Sequence, residues 1–156
     1  MKPSATVKPK KAAPDSAILR LPGTQYHPGC RVVTWHPRGI LDDLLADRIV
    51  GFIETEERIV GKPFHRFTDL SGLERINVGL DHVFEIAQRR KKSYRGVPVK
   101  SAFYAMRLIG LSIAQMYQEL MQGSAIEVGV FRDRAAAAKW LGVPVEILDP
   151  PPAAWL

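Results

Sequence analysis

The sequence predicts a mixed α/β domain: a mostly parallel sheet with one antiparallel edge and helices packed against it. Three observations carry this prediction. Strand-like and helix-like stretches alternate along most of the chain, the order expected when parallel strands are joined by helical crossovers. The first two strand signals are separated by a short loop, which suits an antiparallel pair. The stretch from Ala125 to Pro144 reads as a strand running straight into a helix with a marked start and stop.

The elements follow in order. Residues 1–16 are rich in Lys, Pro, Ala and Ser and lack apolar surface to offset the entropy of ordering, so they read as a flexible basic arm. Ile18 to Leu21 reads as a first edge strand ended by Pro22-Gly23, followed by a loop through His27-Pro28-Gly29. Arg31 to His36 is a strand with Val32, Val33 and Trp35 as its apolar content, and Pro37-Arg38-Gly39 turns the chain. A helix over about 42–57 aligns Leu41, Leu44, Leu45, Ile49, Phe52 and Ile53 on one face. Asp42, Asp43 and Asp47 lie near its N-terminal end, where the helix dipole favours negative charge.

Phe64 to Leu70 is the next strand. A second helix over about 78–94 is expected to turn Leu80, Val83, Phe84 and Ala87 inward. Pro98 to Tyr104 is a third core strand. A third helix over about 107–122 carries Ile109, Ile113, Met116, Tyr117 and Leu120 as its buried stripe. In the closing βα unit, Ile126, Val128 and Val130 alternate within a strand apolar on both faces, as in a sheet covered on both sides. Asp133 is an N-cap, Ala135 to Ala138 favour helix, Gly142 suits a left-handed C-cap and Pro144 forbids continuation. Trp140 and Leu141 are expected to anchor this helix on the sheet. Residues 17–148 thus form one α/β domain, and residues 149–156, with Pro150-Pro151-Pro152, a Pro-rich tail.

The 156 residues and 46% hydrophobic content suit one globular core. No apolar run approaches the ~18 residues of a membrane span, so stable membrane insertion is not expected. Cys30 is the only cysteine, which excludes an intrachain disulfide framework and a multi-cysteine zinc site and makes a cytoplasmic setting the default. The net charge of +6 is uneven. Residues 1–15 carry +3, and Arg89, Arg90, Lys91, Lys92 and Arg95 carry +5, leaving the remainder at −2. One basic tail and one basic patch do not make a uniformly positive surface, which argues against nucleic acid as the partner.

No catalytic constellation is evident, and Gly-rich phosphate loops are absent. The four histidines, His27, His36, His65 and His82, lack metal-ligand spacing, although His36 and His65 could be neighbours if their strands pair. Asp69 and Ser71 fall at the C-terminal end of a predicted parallel strand, where open α/β sheets bind ligands. With Asn77 and Gly79 at the next helix start they could form a small polar or phosphate pocket; ordinary turn and capping chemistry is the simpler reading. The run Arg89, Arg90, Lys91, Lys92 could face acidic protein or anionic headgroups, or could simply meet the negative end of its own helix. Met116, Tyr117 and Met121 on the third helix suit an apolar ligand pocket or plain core packing.

The element order, with Thr68-Asp69-Leu70-Ser71-Gly72-Leu73 ending the second core strand and Val130-Phe131-Arg132-Asp133 leading to Ala138-Lys139-Trp140-Leu141-Gly142, resembles the SpoIIAA-like family, which is related to STAS domains. The resemblance covers about residues 17–143. It implies a small βα sandwich without an obligatory cofactor, whose relatives bind protein partners, nucleotides or lipids. In antagonist STAS proteins a phosphorylated serine starts the helix after the second core strand. The matching region here, Ile76-Asn77-Val78-Gly79-Leu80, has no serine or threonine, and Ser71 lies several residues earlier. The expected function is therefore a non-enzymatic module binding a protein partner or itself through the second helix and the Asp69–Gly79 segment. The alternative is a carrier of a small apolar or phosphorylated ligand in a pocket between helices and sheet.

Overall fold

The computed structural model describes residues 21–152. A five-stranded sheet in the order β1-β2-β4-β6-β7 is formed by β1 (Thr24–His27), β2 (Val32–Trp35), β4 (His65–Asp69), β6 (Val99–Tyr104) and β7 (Ile126–Phe131). β1 pairs antiparallel with β2, and the remaining pairs are parallel. Among the described residues, four helices accompany the sheet: α1 (Asp43–Val60), α2 (Leu80–Ser93), α3 (Leu108–Leu120) and α4 (Arg134–Leu141). The fold class predicted from the sequence is the one observed.

The helices begin and end where local chemistry dictates. Asp42 caps α1 by accepting a 2.9 Å bond from the Leu45 N–H, and Gly61 closes it with φ 71°. Asp133 caps α4 through the Ala135 N–H at 3.1 Å, and Gly142 ends it with φ 77°. α1, α2 and α3 pack side by side, while α4 and the 3-10 turn Val145–Leu148 pack together beside β6 and β7. Core residues divide accordingly. Leu41, Ala46, Leu70 and Leu111 cluster with Trp35, whereas Val32, Phe67 and Ala102 meet Ala137, Ala138, Leu141 and Leu148. Phe131 and Trp140 pack with ring centroids 5.3 Å apart and planes tilted by 49°, so Trp140 does anchor α4.

The structure corrects several expectations. The first strand is Thr24–His27, within what reads as a loop; Leu21 is buried but not in a strand, and residues 18–20 lie outside the described residues. The basic arm 1–16 and the end of the tail, 153–156, also lie outside them. Two further strands, β3 (Gly39–Asp42) and β5 (Leu73–Asn77), form a separate parallel pair that sequence patterning misses. Both are short, and their register shifts between Gly39 and Ile40, so neither shows a clean alternation.

Inward faces are also displaced. On α2, Val83 and Ala87 are buried with Arg90, but Leu80 and Phe84 are 62% and 50% exposed. On α3 the buried residues are Gly110, Leu111 and Ala114, and Ile109 is exposed. The i, i+3, i+4 rule finds an apolar stripe but not its centre, because Arg90 is buried by partners on α1 that no local pattern reveals.

Candidate functional site

A cavity of about 150 Å³ lies between the sheet and α1–α3. Its floor is set by strand alternation and register. Val33, Arg66 and Ser101 form one cross-strand row, and Trp35, Thr68 and Phe103 the next. Central parallel strands covered on both faces are normally filled with Val, Ile and Leu. Here Thr68 and Ser101 occupy inward positions, and Ala46 and Ala114 face them from the helices, so the layers do not fill the space between them. Ile49, Val50, Ile113 and Val83 complete apolar walls.

The cavity is polar at one end. Its polar lining side chains are Arg66, Thr68, Arg90, Ser101 and Tyr117. Because the helices run antiparallel to the strands, the ends of α1, α2 and α3 gather at the start of β4. Arg66 and Arg90 are 6% and 3% exposed and both donate to Glu57 Oε2. Arg66 also donates to the Phe64 carbonyl, and Arg90 to Ser93 Oγ at 2.8 Å. Burial lowers the pKa of Arg66 from its ordinary value, opposed by the charge of Glu57. Burial pushes the Tyr117 phenol, which lines the cavity, up to about 12. The other end, around Trp35, Leu41, Leu70 and Val78, is apolar.

The sequence-predicted site residues are dispersed. Asp69 is buried at the end of β4, where its Oδ1 accepts bonds from the Ser71 N–H (2.9 Å) and Oγ–H (2.6 Å). Its Oδ2 takes 2.7 Å from Arg134, with His36 Nε2 3.6 Å away. Asp69 thus combines turn capping with a buried ionic contact to α4 that no local pattern shows. Asn77 is exposed at the end of β5, and nothing brings it to Asp69. The Gly79 N–H donates to Asp43 Oδ1 at 3.0 Å, and Asp47, Asp43 and Glu85 surround the nearby His82. This end of α2 is acidic and disfavours an anion.

The basic run divides. Arg89 donates to both carboxylate oxygens of Glu54, at 3.1 and 2.6 Å, and Arg90 is buried; Lys91 is half-buried and Lys92 exposed. Two of the four cations are therefore committed to α1. His36 and His65 are not neighbours: His65 sits level with Val32, at the opposite end of the paired strands. His65 Nδ1 instead accepts from the Lys100 N–H at 2.9 Å. Among the described residues no group of three or more His, Cys, Asp or Glu side chains could hold a metal ion. No helix among them is long and apolar enough to cross a membrane.

The cavity escapes helix and strand patterning, but it has a sequence signal. Arg66, Thr68 and Ser101 are polar residues at inward positions of strands that flanking apolar residues mark as central.

No family model matches the chain, and no curated protein matches it. Among solved structures it is similar to the crystal structure of an uncharacterised DUF3478-family protein from Shewanella loihica PV-4, described as having a SpoIIAA-like fold. The two are 13% identical, with a TM-score of 0.51, and the match covers 78% of this chain and 92% of that chain. Identity this low speaks to architecture alone, and architecture is what it establishes: the chain has a SpoIIAA-like fold.

Proposed function

We propose that the protein is a non-enzymatic carrier that holds a small apolar ligand between its sheet and α1–α3. The observation that carries this reading is the cavity of about 150 Å³ with apolar walls. Tightly packed interiors have few voids larger than a water molecule, and an apolar void of this size takes up benzene or xenon in another protein. A carrier needs an apolar space of suitable shape and a few placed polar groups, and the cavity has both. Native mass spectrometry of freshly purified protein, with analysis of its organic extract, tests the reading. A retained small molecule supports it; an apo mass combined with no saturable uptake of a small alcohol contradicts it.

A second reading, a STAS-like module that binds a protein partner or itself, rests on a different observation. Leu80 and Phe84 on α2, with Leu108 and Ile109 at the start of α3, are exposed apolar side chains. Light scattering discriminates between the readings: self-association that Phe84→Ser abolishes supports the second, and a monomer at all concentrations removes self-association.

A further inference from the structure

We infer that the ligand of the cavity is a small apolar monoanion, a short acyl or aryl carboxylate, whose head group meets Arg66 and Arg90. This rests on the carrier reading and adds the chemical class. The cavity is amphipathic: two buried guanidiniums, Ser101 and Tyr117 lie at one end, and Trp35 and Leu70 at the other. Arg66 and Arg90 are the charged side chains that line the cavity. Arg66 and Arg90 share the single carboxylate of Glu57, while Glu54, which Arg90 Nη1 reaches only at 3.4 Å, is held in a fork by Arg89. The Arg89 side chain is 44% exposed, so the buried part of the cluster is two guanidiniums, Arg66 and Arg90, with Glu57 and Glu54. A carboxylate head group forms charge-assisted hydrogen bonds with such guanidiniums, whereas an alcohol offers only a neutral acceptor.

The geometry suits the chemistry. A guanidinium has more N–H donors than Arg66 commits to Phe64 and Glu57, and its planar fork matches a carboxylate. Arg66 also borders a second pocket of about 220 Å³, lined by Glu57, Lys62, Phe64, Tyr94 and Val97. The residue that would meet the head group therefore stands between the inner cavity and this second pocket, with Lys62 exposed beside it. An apolar tail then points along the cavity toward Trp35 and Leu70.

Calorimetric titration of the full chain with hexanoate and with its neutral isostere hexan-1-ol tests this. The expected result is saturable binding of both, with hexanoate about tenfold tighter, as one charge-assisted hydrogen bond supplies. The Arg66→Met variant is expected to lose most of the preference for hexanoate while binding hexan-1-ol as before. If that variant does not fold, the side-chain N–H resonances of Arg66 and Arg90 in the unaltered protein decide: hexanoate should shift them and hexan-1-ol should not. Hexan-1-ol binding as tightly as hexanoate, or hexanoate leaving the arginine resonances unmoved, overturns the monoanion class while the carrier reading stands. Neither probe binding overturns both.

Discussion

Arg66 of β4 and Arg90 of α2 donate to the same oxygen, Oε2 of Glu57 on α1. Three elements are thereby joined at the polar end of the cavity. Removing the shared carboxylate leaves two buried cations without their common partner. Glu57→Gln is expected to cost about 3 kcal/mol of unfolding free energy, read from urea denaturation, because an unpaired buried charge is dearer than the pair is favourable. A loss within error of zero would show that water, not protein, surrounds this group.

The cavity itself predicts the effect of filling it. Ala114 of α3 lines the void, and leucine is nearly as good a helix former as alanine. Ala114→Leu should raise stability by about 1 kcal/mol by occupying empty volume, and should abolish uptake of small apolar probes. A lower melting temperature would mean that the layers are already full.

Gly129 of β7 predicts the opposite on the other face of the sheet. A Cβ there would come within 2.8 Å of Phe131 Cε2 and 3.0 Å of Trp140 Cη2. Gly129→Ala should therefore force apart the pair that anchors α4 and cost about 2 kcal/mol. Near-UV circular dichroism should report the altered Trp140 environment.

The histidines set a pH dependence in two windows. Burial lowers the pKa of His36, against the opposing Leu148 carbonyl and Asp69; burial also lowers His27, beside the His36 imidazole, and His65, beside Lys100 and Arg66. A depressed histidine binds its proton more readily when unfolded, so stability falls as pH drops below about 6.5. At His82 burial also pulls downward, but the 2.7 Å hydrogen bond to Asp47 and the charges of Asp47, Asp43 and Glu85 outweigh it, and the pKa rises. Its contribution is present in full below about 6.5 and is lost as pH climbs through the raised value. Unfolding free energy should therefore peak near neutrality and decline on the acid side. Asp47→Asn should remove the His82 contribution, flattening the rise that wild type shows as pH falls from about 8 toward 6.5. A histidine titration by NMR that places His82 below its ordinary value would contradict this.

Much of the architecture was legible because it is written in local chemistry. Asp133, Gly142 and the alternation of Ile126 and Val128 each act over a few residues, and each does what its position suggests. The β3–β5 pair was not legible, since Gly39–Asp42 and Leu73–Asn77 are short and find each other across α1 and β4. The site was less legible still. Arg89 and Arg90 read as a surface patch because their partners, Glu54 and Glu57, lie more than thirty residues earlier. Asp69 stands out in the sequence by its place at a strand end, while Arg66, three residues before it and lining the cavity, carries no comparable motif. Its inward position follows from strand parity, a rule available in the sequence; its burial follows from Glu57, which is not.

The proposed function requires the space between the sheet and α1–α3 to be a binding site. Titrating hexan-1-ol into protein with labelled isoleucine methyl groups tests it most directly, since Ile49, Ile53, Ile86 and Ile113 line the void and Ile40 and Ile59 are exposed. Saturable shifts of the lining methyls are expected, with the exposed ones unmoved. Non-saturating shifts, or shifts confined to Ile40 and Ile59, would contradict the proposed function.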